Sequence, residues 1–117
     1  MAIFEVQTSA PGVQPVFGLV DSNGDVYPND SGPFLFMDLP SVRQLTVVSP
    51  HPGLPDFVQD YGPGSAMSPR FDSLRWNDPA TGMVQFRFNN PDGVTVAVVR
   101  AGIVGFDPDE AISGSLL

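Results

Sequence analysis

Cysteine and lysine are both missing from this chain of 117 residues, and histidine occurs once. Without cysteine there is no disulfide framework and no thiolate metal site. Without lysine, Schiff-base chemistry and the lysine-dependent phosphate loop are excluded, and no glycine-rich phosphate cradle precedes a helix. A zinc site built around the single imidazole, His51, would need three carboxylates, against the preference of zinc for nitrogen and sulfur ligands. No metal and no cofactor is therefore expected. No run of about 18 apolar residues occurs, so no membrane-spanning helix is expected. The opening Met-Ala-Ile-Phe-Glu-Val lacks the basic region and long apolar stretch of a secretion signal.

What charge there is has one dominant sign. The five cations are all arginine, eleven of the thirteen acids are aspartate, and the formal net charge is −8. Residues 1–69 carry −6, residues 70–105 carry +1 and residues 106–117 carry −3. A surface this acidic repels phosphate backbones, so direct nucleic-acid binding is not expected. Aspartate-rich, lysine-free surfaces occur in proteins from salty environments, but a GC-rich coding sequence, which favours Arg over Lys, accounts for the same bias more simply.

Thirteen prolines and twelve glycines make up about a fifth of the chain, while the apolar fraction is ordinary at 42%. Disorder requires low hydrophobicity. Many short strands joined by Pro/Gly turns is the pattern of an all-β protein, a small antiparallel sandwich or barrel with long loops, and the length suits one domain over residues 1–117. The clearest segment is residues 83–100. Asn90-Pro91-Asp92-Gly93 is a turn in which proline presets φ and glycine supplies a positive φ. Read as a hairpin with a bulge at Gly93, it sets Phe88 opposite Val96, Phe86 opposite Val98 and Val84 opposite Arg100. Strand alternation then puts Phe86, Phe88, Val96 and Val98 on one face, and Gln85 and Arg87 opposite Val99 and Ala97 on the other. Aromatic pairs with β-branched residues add about 0.2–1 kcal/mol each.

Further strands are expected at residues 3–8, an edge strand with Phe4 and Val6 inward, and at 15–20, 25–27, 34–37 and 42–49. Asn23-Gly24 between the second and third predicts a type I′ hairpin turn. Residues 55–62 suit one or two helical turns, with proline at the start and glycine at the exit; residues 61–69 read as an extended loop and 71–76 as a short strand. Near the end, Asp107-Pro108-Asp109-Glu110 is close to a capping box, predicting a short helix over 108–112.

Each chemically suggestive cluster has a plainer account. His51 lies in a proline-flanked turn with no Gly-x-Ser-x-Gly elbow to make a nucleophile. Asp21, Asn23 and Asp25 have the one-three-five spacing of a calcium loop, but positions six and twelve hold Val26 and Gly32 where glycine and glutamate are needed; the turn explains the same residues. Asp30-Ser31-Gly32 is the aspartic-protease triplet, and Ile103-Val104-Gly105 resembles the apolar-glycine element of small retroviral-type proteases. Yet Val26-Tyr27-Pro28-Asn29 stands where those enzymes have an apolar strand. Trp76, next to Arg75, suits stacking on a sugar or a partner, though a lone tryptophan more often packs in the core.

In size, proline-rich loops, acidity and lack of catalytic groups, the whole chain resembles the small all-β capsid decoration or cement proteins of tailed bacteriophages. The likeness is one of character over the whole chain, with no motif behind it. It implies a virion location, self-association, often as trimers, and contact with a larger assembly such as a major capsid protein. Candidate contact residues, taken from irregular segments, are Phe57, Tyr61, Met67, Leu116 and Leu117. The expectation is thus a structural binding protein and not an enzyme. The alternatives are a carbohydrate- or ligand-binding β module using Trp76 and loop aspartates, and a small dimeric aspartic hydrolase using Asp30.

Overall fold

Short runs of alternating apolar residues become strands, and the proline and glycine clusters turn the chain between them. The structure, a computed structural model, describes residues 1–71 and 73–100. Its strands are β1 (Val6–Thr8), β2 (Gly18–Leu19), β3 (Asp25–Pro28), β4 (Phe34–Leu39), β5 (Arg43–Val47), β6 (Phe57–Tyr61), β7 (Gly64–Arg70), β8 (Met83–Phe88) and β9 (Thr95–Arg100), with one 3-10 turn at Leu74–Trp76. The all-β expectation holds. The expected short helix at 108–112 lies outside the described residues.

The strands form two sheets. One has the order β3-β8-β5-β6; the other has β1-β9-β4-β7, with β2 also paired to β9. Strand β1 runs parallel to β9, and the remaining strand pairs are antiparallel. Neither sheet closes into a barrel among the described residues. The pairs β5·β6, β4·β7, β3·β8 and β2·β9 are nested about the β5–β6 connection. A long antiparallel ribbon doubled back at β5–β6 and rolled across two sheets has this pairing, which is the jelly-roll connectivity.

This topology overturns the hairpin expected over residues 83–100. Strands β8 and β9 do not pair; they lie in opposite sheets. Phe86 pairs with Val47 and Phe88 with Leu45, while Val96 pairs with Met37 and Val98 with Leu35. The joining segment crosses from sheet to sheet as an arch. At one end Asn89 extends the ladder to β5 through its N–H to the Gln44 carbonyl (3.0 Å). At the other, Val94 accepts the N–H of Val20 (3.3 Å) beyond β2. The turn itself is present, with Val94 N–H on the Pro91 carbonyl (3.1 Å) and Gly93 at φ 74°. The Asn23-Gly24 turn is likewise an arch between β2 and β3. Gly24 has positive φ but Asn23 does not, so it is not type I′.

Two further expectations are corrected at residues 55–70. The predicted helical turns are strand β6 and the predicted loop is strand β7. Antiparallel pairing with β5 and β4 gives these residues backbone partners that a one-turn helix lacks. The bend between them sits close on the β4–β5 connection, where a Cβ on Gly62 would meet Leu39 Cβ and the Ser41 carbonyl at 3.0 Å. Residues 71–76, expected as a strand, contain the 3-10 turn, started by Ser73, whose side chain accepts the Arg75 N–H.

The core lies between the sheets. Tyr27, Leu45, Val47, Val84, Phe86 and Phe88 come from one side and Leu35, Met37, Leu39, Val96 and Val98 from the other. Phe86 sits among Phe4, Tyr27 and Phe88, with ring centroids 5.8, 5.9 and 6.3 Å away. The Tyr27 hydroxyl is fully buried with no hydrogen-bond partner among the described residues, and burial raises its pKa far above the ordinary phenol range. Tyr27→Phe keeps the ring and removes an unpaired polar group. Unfolding free energy should therefore rise by about 1 kcal/mol, read as a higher urea midpoint at unchanged slope. A loss of similar size would reveal a partner for the hydroxyl.

Candidate functional site

Strand alternation gives β4 two apolar faces. Leu35, Met37 and Leu39 enter the core, and Phe34 and Phe36 stand on the outer face of their sheet. In register beside them lie Val99, Ala97 and Met67. Strand β9 is therefore buried on both sides at Val96, Ala97, Val98 and Val99. Segment 9–17 folds back over part of this outer face. It is held by the Gln7 side-chain amide, which donates to the Val16 carbonyl and accepts the Val16 N–H, both at 2.7 Å. These two bonds imitate a strand ladder. Phe17 then meets Phe36 edge-on at 5.4 Å.

The cover is incomplete. Val13, Val16, Leu19 and Met67 remain 63%, 74%, 72% and 62% exposed. Two hollows flank the Val16-Phe17 strip. An open one of about 470 Å³ lies between β1 and β2, lined by Ile3, Phe4, Val16, Phe17 and Leu19 among others. A narrower groove of about 180 Å³ is lined by Val13, Phe34, Phe36, Met67 and Val99 together with residues of β1 and the covering segment. Isolated exposed apolar side chains are ordinary; contiguous ones on a rigid face mark interaction surfaces. The sequence signal for this face was the unbroken apolar run Phe34-Leu35-Phe36-Met37, which indicates a strand covered on both sides.

Of the contact residues proposed from sequence, Met67 lies on this face. Phe57 and Tyr61 are on β6, half-buried and packed against the core. Phe57 meets Phe71 edge-on at 5.0 Å, and Phe71 meets Trp76 at 5.2 Å. Leu116 and Leu117 lie outside the described residues.

The candidate aspartates and Arg75 are held by structural contacts. Asp25 is buried and accepts the N–H groups of Ala2 (2.8 Å) and Asp21 (2.9 Å). Asp21 accepts the Asn23 N–H at 2.9 Å and binds the N-terminal ammonium at 2.8 Å. These carboxylates thus hold the Asp21–Asp25 arch and the N-terminal segment. Asp30 pairs with Arg100 at 2.5 Å on an exposed loop, unlike the two converging, shielded aspartates of an aspartic hydrolase. His51 is engaged through its backbone carbonyl, which accepts from Leu54 N–H (3.2 Å) and Ser49 Oγ (3.5 Å). The Arg75 guanidinium covers the Trp76 ring at 4.3 Å and donates to the Pro55 carbonyl, which occupies a face a sugar would need. No cluster of three or more metal-ligating side chains occurs among the described residues, and no helix there is long and apolar enough to cross a membrane.

The Asp21 pair makes stability depend on pH. The Asn23 N–H and the ammonium hold the Asp21 carboxyl below its ordinary range, and the Asp21 hydrogen bond raises the N-terminal amine. A lowered carboxylate stabilises the fold above its unfolded pKa and loses that as pH falls through the folded value. A raised amine stabilises below its unfolded pKa and loses that as pH rises through the folded value. The pair therefore acts between roughly pH 4 and 8. An N-acetylated chain should melt slightly lower than the free chain in that window and converge with it at both extremes. A constant offset across all pH values would exclude the ion pair as the cause.

Comparison with known proteins returns no matching family, no matching curated protein and no matching solved structure.

Proposed function

We propose that this protein is a non-enzymatic structural component of a virion. In this reading it decorates or stabilises a capsid by associating with copies of itself and by laying loops on a larger assembly such as a major capsid protein. The observation that carries the reading is the apolar outer face, where Val16 and Leu19 are about three-quarters exposed beside an open hollow on a rigid two-sheet scaffold. Such a face suits a protein partner better than water. The carboxylates of Asp21, Asp25 and Asp30 are tied into turns and ion pairs. Jelly-roll connectivity is used by capsid and lectin domains alike, which supports the reading by analogy alone. The lectin alternative is weakened by the capped Trp76 ring.

The test is solution mass by light scattering, joined to co-sedimentation with virus particles from the native source. The unaltered chain should exceed the mass of one copy and travel with particles. Val16→Asp combined with Leu19→Asp should abolish both at unchanged far-ultraviolet dichroism, because each places a charge in a buried contact. A monomeric unaltered chain absent from particles would overturn the proposal.

A further inference from the structure

The arch between β2 and β3 carries the one asparagine of this chain that precedes a glycine, Asn23-Gly24. Such a pair is the most open to attack of a backbone nitrogen on a side-chain amide, because glycine has no side chain to shield its own nitrogen. The fold requires the glycine. Its φ is 89°, and a Cβ there would lie 3.1 Å from the Phe86 carbonyl oxygen and 3.4 Å from Arg87 Cβ. Asn23 is exposed. Its side-chain amide makes no hydrogen bond among the described residues; only its backbone N–H is engaged, on Asp21 Oδ1 at 2.9 Å.

The same arch keeps the reacting atoms apart. Gly24 N–H donates to the Asp21 carbonyl (3.1 Å), and neither Ser22 nor Asn23 has positive φ, so residues 21–24 form a type I turn with Asn23 in its third position. At that position ψ is about 0°, and the Gly24 nitrogen eclipses the Asn23 nitrogen. Ring closure needs it to eclipse Asn23 Cβ instead, a rotation of roughly 120° about the Cα–C bond away from the turn geometry. That rotation breaks the Gly24 bond to Asp21. The turn is clamped at both ends, since Asp21 Oδ1 holds the Asn23 N–H and buried Asp25 holds the Asp21 N–H at 2.9 Å.

We propose that Asn23 is a deamidation site whose reaction is gated by this arch. In the opened turn the deprotonated Gly24 nitrogen attacks Asn23 Cγ. A C–N bond forms, the bond from Cγ to the amide nitrogen breaks, and ammonia leaves, giving a succinimide. Water then opens either carbonyl, leaving aspartate or isoaspartate at position 23. The sum is amide plus water to carboxylate plus ammonium, with no other reactant. Isoaspartate routes the backbone through Cγ and lengthens the arch by one methylene. With Gly24 close against Phe86, the longer arch gives up its turn bond and loosens Asp25 from the N-terminal segment that it holds through Ala2. The proposal does not depend on the virion reading.

The test incubates the full chain at mildly alkaline pH, folded and in urea. Conversion at each asparagine is followed by peptide mapping, and isoaspartate by labelling with an isoaspartyl methyltransferase. In the folded chain Asn23 should convert before Asn29, Asn77, Asn89 and Asn90, and about tenfold more slowly than in urea, because local opening of the turn must precede each attack. Asp21→Ala removes the acceptor of the Asn23 N–H without touching the buried carboxylate of Asp25. It should recover most of that difference at unchanged far-ultraviolet dichroism, and Asp25→Asn should act in the same direction. Asn23→Gln, whose longer side chain closes the ring far less readily, should abolish the label. Another asparagine converting first, no conversion at Asn23 in the folded chain, equal rates in the folded and unfolded chains, a rate unmoved by Asp21→Ala, or a label that persists in Asn23→Gln would each overturn the proposal.

Discussion

Phe86→Ala should lower the unfolding free energy by about 3–5 kcal/mol, the usual cost of removing a buried ring together with the cavity it leaves. The position makes the upper half of that range the expected one. Phe86 is fully buried on β8, which is flanked by β3 and β5, and it faces Val47 across one pair and Asp25 across the other. Its ring also touches Phe4, so it fixes the N-terminal segment against the core. Loss of the ring loosens three elements at once, and neighbours held in two hydrogen-bonded sheets cannot close the space. Domains of this size have about 5–15 kcal/mol in total. The variant should therefore show a strongly reduced urea midpoint and sit close to unfolding at 37 °C. Phe86→Leu, nearer in volume, should cost less than about 1.5 kcal/mol. A small loss for alanine would mean that the two sheets do not share the core described.

The alternation that identifies Phe86 also shows how far the sequence could be read. Phe86, Phe88, Val96 and Val98 were assigned to one face, and all four do point into one core. Their partners were not legible. A hairpin and an arch share the same inward parity and the same Pro-Asp-Gly turn, so residue types alone do not separate them. The difference lies in the span: six residues, 89–94, separate β8 from β9, enough to cross the roughly 10 Å between packed sheets. The same ambiguity hid the arch at Asn23-Gly24. Strands β6 and β7 were missed for another reason. For β6 the flanking Pro55 and Gly62 suit the start and exit of a helix, and for β7 the Gly64 and Pro69 signal loop; pairing with β5 and β4, remote in strand order for β7, supplies the ladder that overrides both. Of the outer face, Met67 was among the contact residues expected from sequence, and Phe34 and Phe36 were placed on a strand with no face assigned to them. The exposed Val16 and Leu19 needed the position of segment 9–17, which depends on the Gln7 amide and is not written in any periodicity.

The second large effect is expected at Asp25, the last residue of the calcium-like spacing Asp21, Asn23, Asp25. Both of its carboxylate oxygens accept backbone N–H groups, one from Ala2 and one from Asp21. The Ala2 carbonyl in turn accepts the Val26 N–H at 3.0 Å, and Phe4 N–H donates to the Val26 carbonyl at 2.9 Å. Asp25 is thus the first knot in a ladder that carries the N-terminal segment alongside β3 and delivers Phe4 to Phe86. Asp25→Ala leaves two donors without their charged acceptor at a position only 1% exposed. Hydrogen bonds to charged groups contribute about 1.5–3 kcal/mol each, with part recovered by water reaching the gap, so a loss of about 2–4 kcal/mol is expected. Asp25→Asn keeps one carbonyl acceptor but presents an NH₂ to the other donor, so it should fall between alanine and the unaltered chain. Asn23→Ala, which removes a side chain that makes no hydrogen bond among the described residues, should be nearly silent. A metal site predicts a different pattern: all three substitutions would matter only when calcium is present. Melting curves with millimolar calcium and with a chelator separate the two. Equal melting temperatures in the unaltered chain, with the loss at Asp25 undiminished by the chelator, would show that this carboxylate serves the backbone. A calcium-dependent rise that disappears in all three variants would show that it serves a cation.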